Sequence, residues 1–455
     1  MCGGSNLEEN ICMLRPFFLV LFVCVCSSVC FAQNVQQQLD TLLRAYNFNG
    51  AVLVAQDNRI LLEKGYGYSN LATHQLNDTN TVFQIASVTK TFTSTLILKL
   101  VEQKQLSLQD RLSKFYPDFP KADSITIENL LTHTSGIPDY TGDNFLDSVG
   151  DKPASEATML ALFKNKPFEF SPGTGWSYSN AAYSLLGYIV PKVTGLSYEQ
   201  AVRKYIFMPL QMDHSGFDFT HLQGTEKAVG YAPDSTAARI IDSSVCFAAG
   251  AVYSTVTDMY RWHEALQHHT FIRNGLLERA YTPFKNNYGY GWIVDSVYGQ
   301  KMVSHSGGIW GFRSNFVRIV ADDVCIILLS NTETLARDPI TLKILAVLYH
   351  QPYTLPVKRT PVKLSEAVLK RYEGAYNLKE KNLKITVKLE NGELAAYPER
   401  GPRSVLLALD EQHFYLKGED DFRIDFEVDG KGQVLEMVIN NNGRTGRAEK
   451  VEKVE

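Results

Sequence analysis

Cysteine is scarce in most of this 455-residue chain, because five of its seven cysteines lie within the first 32 residues. The other two, Cys246 and Cys325, sit in apolar stretches and define no disulfide framework. We predict that both are small buried hydrophobic residues. With 45% apolar residues, the chain is globular and long enough for two domains.

The chain also lacks a strong net charge of either sign, since it has 45 basic residues and 49 acidic ones. There is no basic run and no glycine loop of the kind that cradles phosphates, so we expect no nucleic-acid partner. The absence of a GxSxG motif argues against an α/β-hydrolase.

We predict no metal and no cofactor. The segment from His263 to His268 superficially resembles a zinc-protease helix, but its histidines are five positions apart and diverge on a helix. We interpret that segment as a solvated helical face.

The first 32 residues have the pattern of a secretory signal. Arg15 precedes an apolar run from Phe17 to Val25, and a region of small residues ends at Ala32. The run is short for a membrane span, so we favour cleavage over an uncleaved membrane anchor. A lipoprotein modified at Cys30 is also less favoured than simple secretion. We therefore expect an exported protein, periplasmic or secreted, that meets a membrane only through this segment if it stays uncleaved. Translation could start at Met1 or at Met13.

Ser87 and Lys90 open a strongly apolar helical stretch that runs to Val101. A lysine one turn after a serine lies on the same helix face, so its amine can sit against the hydroxyl and accept its proton. The helix start also offers backbone N–H groups and the positive end of the helix dipole to an oxyanion. Because a plain helix cap explains the serine but not a buried lysine, we predict an activated nucleophile.

The remaining chain shows an order of strands and helices. Strand-like runs cover 51–55 and 60–66, a long and mainly helical region follows, and four more runs cover 291–295, 301–305, 315–320 and 324–330. A helical segment at about 335–348 follows them. Strands at both ends predict one antiparallel sheet flanked by helices, with an inserted helical subdomain and a cleft between the two.

A proline-punctuated segment, 351–362, predicts a linker to a second domain. From residue 363 onward the chain alternates short strand-like runs with the hairpin signals Asn391-Gly392, Asp429-Gly430 and Asn442-Gly443. We predict a small antiparallel all-β domain over 363–455. No catalytic constellation is visible in it, and its role stays open between structure, substrate covering and partner binding.

Four separate stretches resemble one known family, the serine hydrolases related to class C β-lactamases, penicillin-binding DD-peptidases and the esterases that share their fold. They are Phe83 to Lys90, Leu130 to Pro138, Phe170 to Gly173 with Trp176 to Asn180, and His305 to Gly308. The resemblance covers about 35–350, implies an α/β (α+β) fold of β-lactamase/transpeptidase type, and predicts a serine hydrolase domain over 33–350. The C-terminal 363–455 are similar to a lipocalin-like extension, mainly through Tyr372 to Tyr376.

The resemblance implies a role for each matching residue. Ser87 is acylated, while Lys90 and Tyr178 share the base and acid roles as a coupled pair. The backbone N–H groups of Ser87 and Gly308 form the oxyanion hole. The substrate-binding residues are Asn180, His305, Ser306 and Gly307.

One departure from the family pattern concerns the substrate. The β-lactamases usually carry lysine where this chain has His305, and histidine lacks a permanent charge at neutral pH. We therefore expect a DD-peptidase of penicillin-binding type, or an esterase or amidase, with β-lactamase as the alternative. The substrate would be a small peptide, an ester or a β-lactam, with cell-wall peptidoglycan as one source. A non-catalytic module that senses penicillin or peptide is the alternative of another class.

Overall fold

The computed structural model describes residues 34–141, 150–333, 337–356, 359–379, 383–399, 403–417, 419–441 and 444–451. The predicted signal segment 1–32 and the Asn442-Gly443 turn lie outside these ranges. Within them, none of the helices combines the length and apolar character that crossing a membrane requires. Contacts divide the chain into a larger N-terminal unit, which runs to Arg337 and includes Val347–Tyr349, and a C-terminal unit, which combines Asp338–Ala346 with the residues from His350 onward.

The described α-helices are α1 (34–45), α2 (Thr89–Glu102), α3 (Ile127–Leu131), α4 (Glu156–Ala161), α5 (Asn180–Thr194), α6 (Tyr198–Val202), α7 (Ser243–Gly250), α8 (Val256–Gln267), α9 (Asn274–Ala280), α10 (Arg337–Leu348) and α11 (Glu366–Leu369). The strands of the N-terminal unit are β1 (Gly50–Gln56), β2 (Arg59–Tyr66), β3 (Tyr68–Asn70), β4 (Gln75–Leu76), β5 (Phe83–Gln84), β6 (Tyr253–Ser254), β7 (Ile293–Val297), β8 (Gln300–Ile309), β9 (Phe312–Ile319) and β10 (Val324–Ser330). Those of the C-terminal unit are β11 (Gly374–Leu378), β12 (Leu383–Glu390), β13 (Glu393–Pro398), β14 (Ser404–Ala408), β15 (His413–Leu416), β16 (Glu419–Val428), β17 (Val434–Asn441) and β18 (Arg444–Val451).

A six-stranded antiparallel sheet organises the N-terminal unit, in the order β2-β1-β10-β9-β8-β7. The strands at the start of the chain pair with those near residue 330, for example Ala51 with Leu329, which confirms the predicted sheet. Helix α8 packs on β1 and β10. β8 is longer than predicted, because its pairing with β9 continues through Gly308 and Arg313. His305 therefore lies within the strand and not at its end.

Helix α2 is buried along almost its whole circumference although it is rich in threonine and serine. Its hydroxyls bond to backbone carbonyls one turn earlier, as Thr91 does to Val88 at 2.8 Å and Thr95 does to Thr91 at 2.7 Å. Hydroxyls satisfied in this way can be buried without a large desolvation penalty. The helix can therefore run through the core and carry Lys90 with it.

Eight strands of the C-terminal unit, β11 to β18, form a closed antiparallel barrel in sequence order. Alternate residues point inward and form its core, with Tyr376, Val387 and Phe426 among them. The Asn391-Gly392 turn is confirmed, since both residues have positive φ as a tight hairpin requires. Between β16 and β17 the loop is longer than a two-residue turn, and its left-handed glycine is Gly432 instead of Gly430.

Candidate active site

Ser87 lies in a 3-10 turn, Ala86–Val88, that joins β5 to α2. Ala86 has a φ of 48°, in the left-handed region that a residue with a side chain rarely adopts. The strand β8 holds this turn closely, since a methyl group on Gly307 would lie 2.2 Å from the carbonyl oxygen of Ile85. A strained backbone that its neighbours hold in place is a common feature of active sites.

Lys90 is fully buried, and its ammonium nitrogen has three hydrogen-bond partners. The Nζ atom lies 3.1 Å from Ser87 Oγ, 2.7 Å from Asn180 Oδ1 and 2.8 Å from the carbonyl oxygen of Ala249. Burial lowers the pKa of Lys90 to about 7, although the charge of Asp139 opposes that shift. The amine is therefore poised between its two protonation states at neutral pH.

Asn180 is fixed by a carboxylate that the sequence reasoning missed. Its Nδ2 donates to Asp139 Oδ2 at 3.2 Å and to Thr141 Oγ1 at 3.3 Å, while its backbone N–H donates to Asp139 Oδ1 at 2.9 Å. A carboxylate can only accept, so the amide nitrogen faces Asp139 and Oδ1 faces Lys90. Asp139 directly follows Pro138, the last residue of the stretch from Leu130 that resembles the family. That position was the feature of the sequence that could have indicated a role for Asp139 in the site.

Tyr178 lies in the loop before α5, with its ring centroid 4.8 Å from the Lys90 nitrogen. Burial raises the pKa of its phenol, and a hydrogen bond with Ser87 opposes part of that rise. His133 packs at 4.4 Å, centroid to centroid, against the Tyr178 ring and accepts the backbone N–H of Ser179 through Nδ1. Burial also lowers the pKa of His133 well below its usual value, so neutral rings surround the amine.

His305 is buried on β8, and both of its ring nitrogens have partners. Nδ1 lies 2.7 Å from the carbonyl oxygen of Ser306, which can only accept, so this nitrogen carries the hydrogen. Nε2 then accepts from the hydroxyl of Tyr288 at 3.0 Å. Burial, with a contribution from Lys90, lowers the pKa of His305 to about 3. The ring is neutral at physiological pH and supplies no permanent positive charge.

A cavity of about 220 Å³ opens in front of Ser87. Asn180 and Gly308 share its lining with Ser87, so three of the predicted residues meet there. Its remaining walls are mixed: Tyr140 and Thr141 contribute hydroxyl-bearing side chains, whereas Ile241, Val245 and Ile309 are aliphatic. Cys246 is only partly buried, which corrects the prediction for that residue, whereas Cys325 is buried as predicted.

The other predicted residues lie outside this lining. Tyr178 stands beside Lys90, and the rings of Tyr178 and His305 are 6.2 Å apart between centroids. The backbone of Gly307 packs on the serine turn, as described above. A methyl group on Gly308 would meet only the side chain of Arg313, at 3.6 Å. Only Gly307 is therefore required for close backbone approach.

A group that could hold a metal lies at a second place in the N-terminal unit. Three ligand atoms lie within 4.8 Å of one another there, one each from His263, Glu264 and Asp323. His263 is buried, which corrects its interpretation as part of a solvated face. Its Nδ1 accepts from Arg318 at 2.9 Å and its Nε2 donates to Asp323 at 3.1 Å, so the ring has no lone pair left for a cation.

A serine hydroxyl beside a buried lysine amine of lowered pKa is an arrangement that serine acyl hydrolases use. Residues 31–351 match the Beta-lactamase family, and the chain belongs to that family. Membership implies serine hydrolase activity.

Relatives extend this result over more of the chain. Penicillin-binding protein 4* of Bacillus subtilis (strain 168) is 29% identical over 428 residues, which are 85% of this chain and 94% of that protein. The crystal structure of a penicillin binding protein from Bacillus halodurans superimposes with a TM-score of 0.61 and 27% sequence identity. The alignment covers 68% of this chain and 98% of that protein's chain.

A third similarity concerns the fold alone. The octameric penicillin-binding protein homologue from Pyrococcus abyssi is 23% identical, with a TM-score of 0.64. It covers 92% of this chain and 99% of its own. The similarity therefore includes most of the C-terminal unit.

Proposed function

We propose that this protein is an exported serine hydrolase that forms an acyl-enzyme on Ser87, with Lys90 as the base. The contact of 3.1 Å between Ser87 Oγ and Lys90 Nζ carries the proposal. A neutral amine has two hydrogens and one lone pair. The carbonyl oxygens of Asn180 and Ala249 can only accept, so they take the two hydrogens. The lone pair is then left for the Ser87 hydroxyl, the one partner that can donate.

The reaction follows from this arrangement. Ser87 Oγ attacks the carbonyl carbon of the substrate while the hydroxyl proton of Ser87 passes to Lys90 Nζ. The oxyanion that forms accepts hydrogen bonds from the backbone N–H groups of Ser87 and Gly308. The C–N or C–O bond then breaks, and the leaving group takes a proton from Lys90 directly or through Tyr178. The raised pKa of Tyr178 supports a phenol that donates and does not act as the base. Water attacks the acyl-enzyme by the same steps and releases Ser87.

The substrate we favour is a small amide or ester, including the D-amino-acid end of a peptide. A cavity of about 220 Å³ whose lining includes Ile241, Val245 and Ile309 suits a small uncharged side chain. The neutral His305 gives a substrate carboxylate no fixed positive charge, and this places β-lactams, like peptides that end in a free carboxylate, behind uncharged amides and esters. The peptide reading takes further support from the relatives named penicillin-binding proteins. Export rests on the pattern of residues 1–32.

The decisive experiment combines labelling with turnover. The protein is incubated with a fluorescent penicillin and, separately, with a fluorophosphonate, and the adduct is located by intact mass and peptide mapping. We expect an adduct on Ser87 that the Ser87→Ala variant lacks. Turnover of a D-Ala-D-Ala peptide, nitrocefin and a short-chain ester then ranks the chemistries. If the folded protein forms no adduct with either probe, the hydrolase proposal is wrong and a non-catalytic binding module becomes the favoured function.

A further inference from the structure

Helix α7 is interrupted at Phe247, the one residue of this helix whose backbone is not helical. Its φ is 34° and its ψ is −132°. This is close to the conformation of the first central residue in a type II′ turn, a position that glycine normally occupies. A residue with a side chain is strained there, so Phe247 is an unexpected choice for the break.

Two tyrosines and a glycine hold the ring of Phe247 in place. The ring is stacked on Tyr188 with the centroids 4.7 Å apart, and the Tyr198 ring lies 5.0 Å away. Gly187 leaves room for this packing, because a methyl group there would lie 2.6 Å from the Phe247 ring and 2.4 Å from the Cβ atom of Ala248. A strained backbone persists only where its neighbours hold it, and such positions cluster at functional sites.

The two residues after the break direct their carbonyl oxygens at helix α2. The carbonyl oxygen of Ala248 accepts from the Thr93 hydroxyl at 2.6 Å. The carbonyl oxygen of Ala249 accepts from Lys90 Nζ at 2.8 Å. The last carbonyls of a helix have no partner within that helix. In α7 they take their donors from side chains of α2, and one of these donors is the buried amine.

We propose that Phe247 is a positioning residue for Lys90, because its strained backbone turns the Ala249 carbonyl toward the amine. This role rests on the proposed function, in which Lys90 is the base for Ser87. A neutral amine whose two hydrogens are held by acceptors keeps its lone pair on the Ser87 hydroxyl. With a helical conformation at residue 247, the following residues would continue the first turn of α7, and the Ala249 carbonyl would no longer face Lys90.

Two variants that remove the same ring separate the role of the backbone from that of packing. Phe247→Ala keeps the Cβ atom that causes the strain, so the backbone should relax once the ring no longer holds it. We expect kcat/KM on a short-chain ester to fall about tenfold, the equivalent of one hydrogen bond. Phe247→Gly adopts the same conformation without strain, and its kcat/KM should be about threefold higher than that of Phe247→Ala. Loss of packing alone predicts the opposite order, because alanine suits a helix better than glycine does.

The pH profile gives a readout that lost packing would not change. An ammonium donates three hydrogens and an amine only two, so the loss of one acceptor destabilises the ammonium more. The pH at half-maximal kcat/KM should therefore fall by about half a unit in Phe247→Ala and return toward the wild-type value in Phe247→Gly. Both variants keep the titratable groups that interact with Lys90, which are His133, Asp139, Tyr178, Tyr183, Cys246 and His305.

Circular dichroism establishes that each variant folds, and the fluorophosphonate adduct on Ser87 counts the active molecules. Phe247→Leu replaces Phe247→Ala if the latter does not fold, since leucine has a similar backbone restriction and fills more of the space. Equal rates in the two variants, a lower rate or failure to fold in Phe247→Gly alone, or a half-maximum in Phe247→Ala at or above the wild-type pH would overturn the positioning role. A wild-type protein that forms no adduct on Ser87 would instead overturn the proposed function on which this role rests.

Discussion

Among the described residues of the N-terminal unit, one lysine and one arginine are fully buried, Lys90 and Arg318, and their surroundings differ. Lys90 contacts three neutral oxygens. Arg318 donates to His263 at 2.9 Å, to Gln267 at 2.8 Å and to the Tyr281 hydroxyl, and a carboxylate, Asp323, lies on the far side of His263. A guanidinium keeps its proton under all ordinary conditions, whereas an amine can lose one. The first arrangement suits proton transfer, and the second suits a permanent structural role.

Replacing Lys90 with methionine gives the largest expected effect. Without the base, kcat/KM on a short-chain ester should fall by about 10³-fold or more, because proton transfer and the nucleophile act as a unit. Steady-state kinetics on purified protein measures the loss. A variant that keeps more than a tenth of the activity would move the base role to Tyr178.

The same variant tests the buried amine through protein stability. The pKa of Lys90 is about 7 in the folded state against an ordinary 10.5, so the unfolded chain binds more protons between those values. The wild-type free energy of unfolding should therefore rise relative to Lys90→Met between pH 7 and pH 10, by a few kcal/mol in all. Urea unfolding at several pH values checks this. A constant difference would show that the amine is not desolvated.

Replacing Arg318 with methionine should affect stability instead of catalysis. The change leaves acceptors on His263, Gln267 and Tyr281 without their donor in a buried place, and we expect a loss of about 3 kcal/mol. Activity per folded molecule should stay within twofold, as active-site titration with the labelling probe would measure. A large drop in kcat with unchanged stability would contradict the structural role.

The pH dependence of catalysis separates the groups further. Acylation needs the neutral amine, so kcat/KM on an uncharged ester should rise with pH, reach half its maximum near pH 7 and then level off. His305 and His263, with pKa values lowered to about 3 and about 4, should add no step between pH 5 and pH 9. A profile that rises only above pH 9 would assign the base to a group with an unshifted pKa.

Local patterns predicted the antiparallel sheet, an antiparallel all-β C-terminal domain and Ser87 as the nucleophile, whereas only the resemblance indicated that the C-terminal domain is lipocalin-like. Alternation and apolar periodicity depend on neighbours in sequence, and both are strong in β1, in β10 and in the helix that carries Lys90. The family resemblance supplied Tyr178 and His305. The partners of these residues could not be read in this way, because Asp139, Ala249 and Tyr288 approach through tertiary contacts between distant segments. His263 was misjudged for the same reason, since Arg318 and Asp323 lie far along the chain.

Two tyrosine hydroxyls provide the smallest and sharpest comparison, because each contacts one of the two buried clusters. Tyr288 donates to His305 Nε2 at 3.0 Å, and Tyr281 accepts from Arg318. In Tyr288→Phe, His305 loses the bond that fixes its ring, and we expect kcat to fall about fivefold, the equivalent of one hydrogen bond. In Tyr281→Phe, a buried guanidinium N–H loses its acceptor, and about 1–3 kcal/mol of stability should be lost while kcat is unchanged.

The two variants differ from the wild type by the same single oxygen atom, so the size of the change cannot explain a difference between them. Kinetics and urea unfolding are measured on both proteins. If Tyr288→Phe lowered only stability, or Tyr281→Phe lowered kcat, the assignment of one cluster to catalysis and the other to structure would be wrong. If kcat falls in Tyr288→Phe and not in Tyr281→Phe, Tyr288 acts as a positioning residue for His305, a role that burial and ring contacts alone do not distinguish from packing.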